Sequence, residues 1–169
     1  MSEDVRDQHL VIRAQYIKDQ SFENPNAPEI FLMMKEEAPK IDINVDVTPQ
    51  LLSDRTYEVT LSLRADAKVG ETSAFLVELE FAALVSLGEG LTEEQGKAAL
   101  LIETPRQIFP FARAIVANIT RDGGFPPLVI NPIDFRQMNE QRSDAKPADA
   151  PPADATETAE ESPPASAEA

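Results

Sequence analysis

Apolar and polar residues alternate with a period of two in three parts of the chain: residues 40–47, 57–68 and 74–87. In the last of these, Phe75 and Val77 fall on one side, and Leu76 and Glu78 on the other. Successive side chains of a β-strand point to opposite faces, so the pattern predicts strands with one buried and one wet face. Residues 69–73, which contain Gly70, predict a hairpin turn. Residues 9–18 predict a fourth, less regular strand.

After residue 90 the apolar positions change to helical spacing. Thr92, followed three residues later by Gln95, predicts a capping box at a helix start. Thr104 and Pro105 predict the start of a second helix, with the threonine as cap and the proline at the first helical position. Gly123 with Gly124 predicts its end. Its predicted buried face consists of apolar residues at helical spacing: Ile108, Phe111, Ala112, Ile115, Val116 and Ile119.

Two further signals complete the helical half. Pro110 predicts either a kink in the long helix or a later start for it. Asp134 predicts the cap of a short last helix over residues 135–142. Strands followed by helices indicate an α+β fold, in which helices pack on one face of a four-stranded antiparallel sheet.

The end of the chain differs in composition from the rest. Residues 143–169 contain five prolines, nine alanines and seven acidic residues, but no Leu, Ile, Val or aromatic residue. Such a segment buries too little apolar surface to offset the entropy of ordering. We therefore predict one folded domain over residues 1–142 and a disordered, acidic Ala/Pro-rich tail over residues 143–169.

Charge and cysteine content exclude several classes of function. The formal net charge is −15, which disfavours nucleic acid and anionic membranes as partners and favours a basic protein surface. The chain has no cysteine, so disulfides, thiolate metal sites and cysteine nucleophiles are excluded. The first ten residues, MSEDVRDQHL, do not resemble a secretory signal, and no window is as apolar as a membrane span. We expect a soluble, cytoplasmic protein that does not insert into membranes.

Few residues are candidates for catalysis or metal binding. His9 is the only histidine and lies near the terminus, without the partners of a triad or an imidazole metal site. Glu78 and Glu80 share a strand face, which is more typical of a solvated face or a negative docking surface than of acid–base chemistry. Three polar residues of the strand predicted over residues 40–47 lack the compact loop of a calcium site: Asp42, Asn44 and Asp46. We predict no catalytic residue, no metal site, no cofactor and no enzymatic activity.

Several large apolar residues lie in segments without periodicity. One group belongs to the connection around residues 22–34, and another to the proline-containing loop at residues 125–135. Such residues either fold back onto the core or line a groove for extended polypeptide, for which methionine and aromatic side chains are well suited. Both interpretations remain open from the residues alone.

Five segments, in this order, resemble the SecB family of bacterial export chaperones: YIKDQSFENPNAP (16–28), YEVTLSL (57–63), ETSAFLVELE (71–80), IFPFAR (108–113) and FPPLVINPIDF (125–135). The resemblance implies an α+β protomer that assembles into a homotetramer, a dimer of dimers. It also implies an ATP-independent holdase that binds unfolded precursors of exported proteins, keeps them translocation-competent and delivers them to the motor SecA.

The resemblance also implies two sets of site residues. The acidic docking patch for SecA corresponds here to Asp19, Glu23, Leu76 and Glu78. The client groove corresponds to Ile41, Ile43, Phe75, Phe125 and Phe135. The last helix, FRQMNEQR, is more charged than the family pattern, so its contact with SecA is not carried over. Two alternatives stay open: a SecB-like chaperone dedicated to a toxin–antitoxin system, and a small-molecule-binding or enzymatic α+β domain.

Overall fold

The computed structural model describes residues 9–145, which form a four-stranded antiparallel sheet and helices. Along the chain the strands are β1 (Leu10–Glu23), β2 (Lys40–Ser53), β3 (Thr56–Val69) and β4 (Thr72–Leu87). Their order across the sheet is β1-β4-β3-β2, so β1 and β2 are the edge strands. Gly70 adopts a positive φ of 57° in the predicted turn between β3 and β4. The predicted α+β fold is confirmed.

The two faces of the sheet differ in polarity and in burial. The face that we call the core face packs against the helices and contributes most of the buried apolar side chains of β3 and β4: Val59, Leu61, Leu63, Ala65, Ala67, Phe75, Val77, Leu79, Phe81, Ala83 and Val85. The opposite face, which we call the open face, is mostly polar and partly exposed. This division follows directly from the period-two pattern of the sequence.

The helices begin with the short α1 (Glu29–Met33), which precedes β2. After β4 the chain enters α2 (Glu93–Ala98), a π-helical turn (Ala99–Glu103) and α3 (Thr104–Asp122) without a break. The predicted capping box is confirmed: the Thr92 hydroxyl accepts from the Gln95 amide at 3.2 Å, and the Gln95 side chain accepts from the Thr92 amide at 2.9 Å.

The prediction that Thr104 caps a separate helix is wrong. Thr104 lies inside the continuous helical stretch, and both its amide and its hydroxyl donate to the carbonyl of Ala99, the hydroxyl at 2.8 Å. The amide of Thr104 thus bonds five residues back, as in a π-helix, and Pro105, which has no amide hydrogen to donate, follows directly. Helix α3 starts before Pro110 and continues through it, so the predicted later start is also wrong.

Helix α3 packs on the core face through Ile108, Ala112 and Val116, which are fully buried. Phe111 is predicted from the sequence to belong to this face, but it is 55% exposed. It lies about 100° around the helix from Ala112, so its side chain points away from the sheet. The predicted end at the glycine pair is confirmed, because Gly123 caps α3 and Gly124 follows with a φ of 91°.

The last helix, α4, spans Phe135–Ala145. The predicted cap is confirmed, because the Asp134 carboxylate accepts from the amides of Arg136 at 3.0 Å and Gln137 at 3.2 Å. The helix extends three residues beyond the predicted bound at residue 142. Most of the predicted tail, residues 146–169, lies outside the described residues, so its disorder stays a prediction.

Candidate functional site

The open face brings together all four residues predicted to dock SecA. In the register of β1 and β4, Glu23 lies opposite Leu76, and Ser21 opposite Glu78. Asp19, on the same face of β1, lies opposite Glu80. Directly opposed side chains on one face of an antiparallel pair are about 5 Å apart. The four residues therefore form one small surface, and their role in docking stays a prediction.

This acidic surface continues across the sheet into β3 and β2. Asp66 of β3 lies between Leu76 on β4 and Asp42 on β2. Four residues earlier on β3, and on the same face, Ser62 lies between Glu80 and Asp46. A pocket of about 340 Å³ opens on this face over Ser62. The carboxylates of this part of the open face come from all four strands: Asp19, Glu23, Asp42, Asp46, Asp66, Glu78 and Glu80. Alternation in the sequence placed the five carboxylates of β2, β3 and β4 on a wet face, whereas Asp19 and Glu23 lie beyond the strand predicted over residues 9–18. Only the strand register brings all seven side by side.

Two arginines carry positive charge into this acidic surface. Arg64, opposite Glu78 in the register of β3 and β4, forms an ion pair with it. Arg142 reaches from α4 around the edge of the sheet, where its Nη1 lies 2.6 Å from Asp46 and 3.1 Å from the carbonyl of Val47. Arg142 therefore ties α4 to the edge strand β2. The sequence contained no local signal for either contact.

At the other end of the open face, Tyr16, Lys18 and Glu58 form a network that crosses β4. The Tyr16 hydroxyl and the Lys18 ammonium each donate to one oxygen of Glu58 at 2.6 Å. Ala82 of β4 lies between Tyr16 and Thr60 and is completely buried, because a small side chain lets the longer ones pass over it. The network therefore links the edge strand β1 to β3.

The network shifts the pKa values of its members. The hydrogen bond to Glu58 raises the pKa of Tyr16 to about 12. The hydrogen bonds from Lys18 and Tyr16 lower the pKa of Glu58, and the hydrogen bond to Glu58 raises that of Lys18. All three shifts favour the ion-paired, hydrogen-bonded form of the network at neutral pH.

Two of the predicted groove residues, Phe75 and Phe125, belong to a buried aromatic cluster. Their ring centroids are 4.8 Å apart, and Phe125 also contacts Phe31 at 5.1 Å and Phe22 at 6.3 Å. Gly123 passes so close to the ring of Phe22 that a Cβ at that position would overlap it. Phe75 and Phe125 are thus core residues in this chain, and a client would contact them only after they moved.

The other three predicted groove residues lie on the same side of the sheet. Phe135 is also buried and packs edge-on against Phe109, with ring centroids 5.8 Å apart. Ile41 and Ile43 lie on edge strand β2, opposite Ala67 and Ala65 on β3. Ile43 is 41% exposed and Ile41 is half-buried. Of the five residues, only these two isoleucines offer apolar surface to a partner in the present conformation.

Further apolar side chains are exposed in the two connections singled out in the sequence. Leu32 is 65% exposed and Val129 is 71% exposed, whereas Phe31 and Ile130, in the same segments, pack on or in the core. Folding back onto the core is thus confirmed for one subset of the loop residues, whereas a client groove lined by the exposed subset stays a prediction. Composition alone did not separate the two subsets, since that requires knowing where each side chain points.

Within residues 9–145 no group of three or more His, Asp or Glu side chains is arranged to hold a metal ion. No helix in this range is long and apolar enough to cross a membrane.

The fold and these surfaces define a class: an α+β protein with a charged sheet face and exposed apolar side chains at the sheet edge and in adjoining loops, suited to binding polypeptides. The family model described as "Preprotein translocase subunit SecB" matches residues 3–146. The chain belongs to the SecB family. The family is one of chaperones, not of enzymes, and this chain is a chaperone of protein export.

Relatives named "Protein-export protein SecB" match most of the chain. The protein from Rhodospirillum centenum is 52% identical over 126 residues, which cover 75% of this chain and 74% of that protein. The protein from Parvibaculum lavamentivorans is 49% identical over 138 residues, covering 82% of this chain and 81% of that protein. The export function is therefore favoured over the two alternatives left open by the sequence.

One solved structure is similar in fold. It is a SecB-like chaperone from Mycobacterium tuberculosis in complex with a ChAD peptide from the HigA1 antitoxin, with a TM-score of 0.60. The match covers 74% of this chain and 91% of that chain, at 19% identity. At this identity the likeness establishes the fold alone, and it does not favour a role with a dedicated toxin–antitoxin client.

Proposed function

We propose that this chain is a cytoplasmic, ATP-independent holdase that binds unfolded preproteins and delivers them to the motor SecA. The single observation that carries the proposal is the separation of two surfaces on one sheet. The acidic surface lies on the open face, whereas the exposed isoleucines Ile41 and Ile43 lie on the core-face side of the edge strand β2. A chaperone that holds a client while it docks a motor needs two such independent surfaces.

The open face supports docking of a basic partner. Asp19, Glu23 and Glu78 supply negative charge, and Leu76 is a half-buried apolar side chain among them. Charge complementarity steers the encounter and selects the partner, while an apolar anchor at the centre of a charged surface contributes affinity on contact. SecA would present the complementary basic and apolar groups.

The edge of β2 supports binding of an unfolded client. Ile41 and Ile43 are two residues apart on β2 and point to the same side. Alternate side chains of an extended client have the same spacing and could each contact one of these isoleucines. Many weak apolar contacts along one client add up through avidity. Binding to the unfolded and not to the native client shifts the client's folding equilibrium by mass action, so neither ATP nor a catalytic residue is needed.

Self-association into a homotetramer, a dimer of dimers, completes the proposal. Phe111 on α3 is a large aromatic side chain with 55% exposure, and Ile115, one turn further, is half-buried. Strand β1 is an edge strand whose Ile17 is also exposed. Exposed apolar surface of this kind is typical of interfaces. In the proposed tetramer, α3 and β1 of one protomer would pack against the same elements of a neighbouring protomer.

Holdase activity is tested by light scattering on a sizing column, with a chemically unfolded, slowly refolding precursor and its folded form as control. We expect a tetramer that co-elutes with the unfolded precursor only. Equal binding of folded and unfolded precursor, or no binding of either, would contradict the proposal.

Docking is tested by Glu78→Lys, with binding to SecA and binding to the unfolded precursor measured separately. We expect Glu78→Lys to abolish SecA binding and to leave precursor binding intact, because the two surfaces lie on opposite faces. The matched control is Glu89→Lys, the same charge reversal at an exposed residue beyond the other end of β4. If both activities of Glu78→Lys fell together, the two-surface arrangement would be wrong.

A further inference from the structure

Within residues 9–145, Glu78 is the proposed docking carboxylate that already has a positively charged partner. Arg64 lies directly opposite it on β3 and forms an ion pair with it, with both side chains about half exposed. Among the described residues, neither Asp19 nor Glu23 forms such a pair. The residue on the other side of Arg64 in its row is the neutral Asn44, so Glu78 is its partner in that row.

We propose that Arg64 is an internal counter-ion that competes with the docking partner for Glu78 and thereby limits the affinity of the acidic face. This inference rests on the docking function proposed above. Arg64 would then determine how strongly, and over what range of ionic strength, a basic partner is held.

The physical reason is an exchange of partners. A lysine or arginine of the docking protein that approaches Glu78 must displace the guanidinium of Arg64 or share the carboxylate with it. The gain on docking is then the difference between two ion pairs, not the full value of one. Arg64 also lowers the negative potential at the centre of the surface, which slows the steered approach of a basic partner.

The test is Arg64→Gln, with the Kd for SecA measured at several salt concentrations. Glutamine keeps a polar side chain that can form hydrogen bonds, although a shorter one, and removes the charge. We expect binding about two- to fivefold tighter, the range that exposed ion pairs span, with a steeper dependence on salt. Client binding should match the wild type, because Arg64 lies on the opposite face from Ile41 and Ile43. The thermal unfolding midpoint should fall only slightly, by the small value of one half-exposed ion pair.

The matched control is Arg13→Gln, which removes one positive charge from the far end of the same sheet. Arg13 donates to the hydroxyl of Ser86 at 3.3 Å. Ser86 follows Glu78 by eight residues on β4, roughly 26 Å along a strand. This exceeds the screening length of about 10 Å at 0.1 M salt, so we expect no change in the Kd. An equal gain in Arg13→Gln would overturn the inference, because net charge alone would explain it.

A second set of variants tests whether the effect passes through Glu78. When Glu78 is already replaced by glutamine, the further change Arg64→Gln should lower the Kd for SecA no more than the control Arg13→Gln does. Arg64→Lys, which keeps the charge, should bind SecA within about twofold of the wild type. Weaker binding by Arg64→Gln would overturn the inference, because Arg64 would then help docking. If Glu78→Lys itself left SecA binding unchanged, the docking function would fail, whatever Arg64→Gln did.

Discussion

Truncation of Phe125 separates core residues from client-binding residues within the predicted groove. The Phe125 side chain is 4% exposed and contacts the rings of Phe75, Phe31 and Phe22. Replacing a buried phenylalanine by alanine typically costs about 3–5 kcal/mol, which includes the ring–ring contacts and the cavity left behind. Because domains of this size are stable by about 5–15 kcal/mol, Phe125→Ala should remove a large fraction of the free energy of unfolding.

Ile43→Ala is the matched comparison at an exposed member of the same predicted groove. With 41% of its surface exposed, Ile43 should contribute only about 1–2 kcal/mol of burial to the free energy of unfolding. Its truncation should instead weaken binding of the unfolded precursor. The two variants therefore predict opposite profiles: a large loss of stability for Phe125→Ala and a loss of client affinity for Ile43→Ala.

Urea unfolding followed by far-UV circular dichroism measures the stability of both variants, since the chain has no tryptophan to report by fluorescence. Protein concentration must be held constant, because the proposed assembly would couple stability to concentration. Client affinity is measured well below the unfolding midpoint. A loss below about 1 kcal/mol in Phe125→Ala, together with weaker client binding, would refute the reasoning. Phe125 would then face the client and not the core.

Two further predictions concern the capping box and the open-face network. Thr92→Ala removes the acceptor of the Gln95 amide and should lower the free energy of unfolding by about 1 kcal/mol in the same urea assay. In an ultraviolet titration of the phenolate, Tyr16 should ionise near its pKa of about 12, and Glu58→Gln should shift that step towards the ordinary value of 10.0. Because the pKa of Tyr16 is raised, the bond stabilises the fold fully below pH 10 and less as pH rises through about 12.

Controls and contradicting outcomes are specific to each of these tests. Thr92→Ser keeps the hydroxyl and should behave as the wild type, so an equal loss in both variants would argue against the cap. The control for the titration is Tyr57→Phe, which removes the other tyrosine of the chain. The ionisation step of Tyr16 near pH 12 should remain in this variant. A titration unchanged by Glu58→Gln would mean that Glu58 does not accept from Tyr16 in solution.

Local pattern determined most of the secondary structure and the division of the sheet into two faces. Alternation of apolar and polar residues was sufficient to assign the faces, because successive side chains of a strand point to opposite faces whatever surrounds the strand. Short-range signals held at the capping box of Thr92 and Gln95 and at the cap of Asp134. The equally local signal at Thr104 and Pro105 failed, because the helix continues into it from the preceding segment. The same alternation assigns Leu76 and Glu78 to a wet face without reference to any other segment of the chain.

Only the tertiary structure decided which residues of distant segments meet. The pairing of Arg64 with Glu78 and of Arg142 with Asp46 depends on strand register and on where α4 lies, and no local signal encodes either. Exposure of Phe111 was mispredicted because helical spacing defines a face but not its width, which the sheet beneath the helix sets. Whether a loop residue such as Phe125 or Val129 is buried depends on the rings that other elements bring to it. Burial is thus a property of the packed chain, whereas alternation is a property of the chain itself.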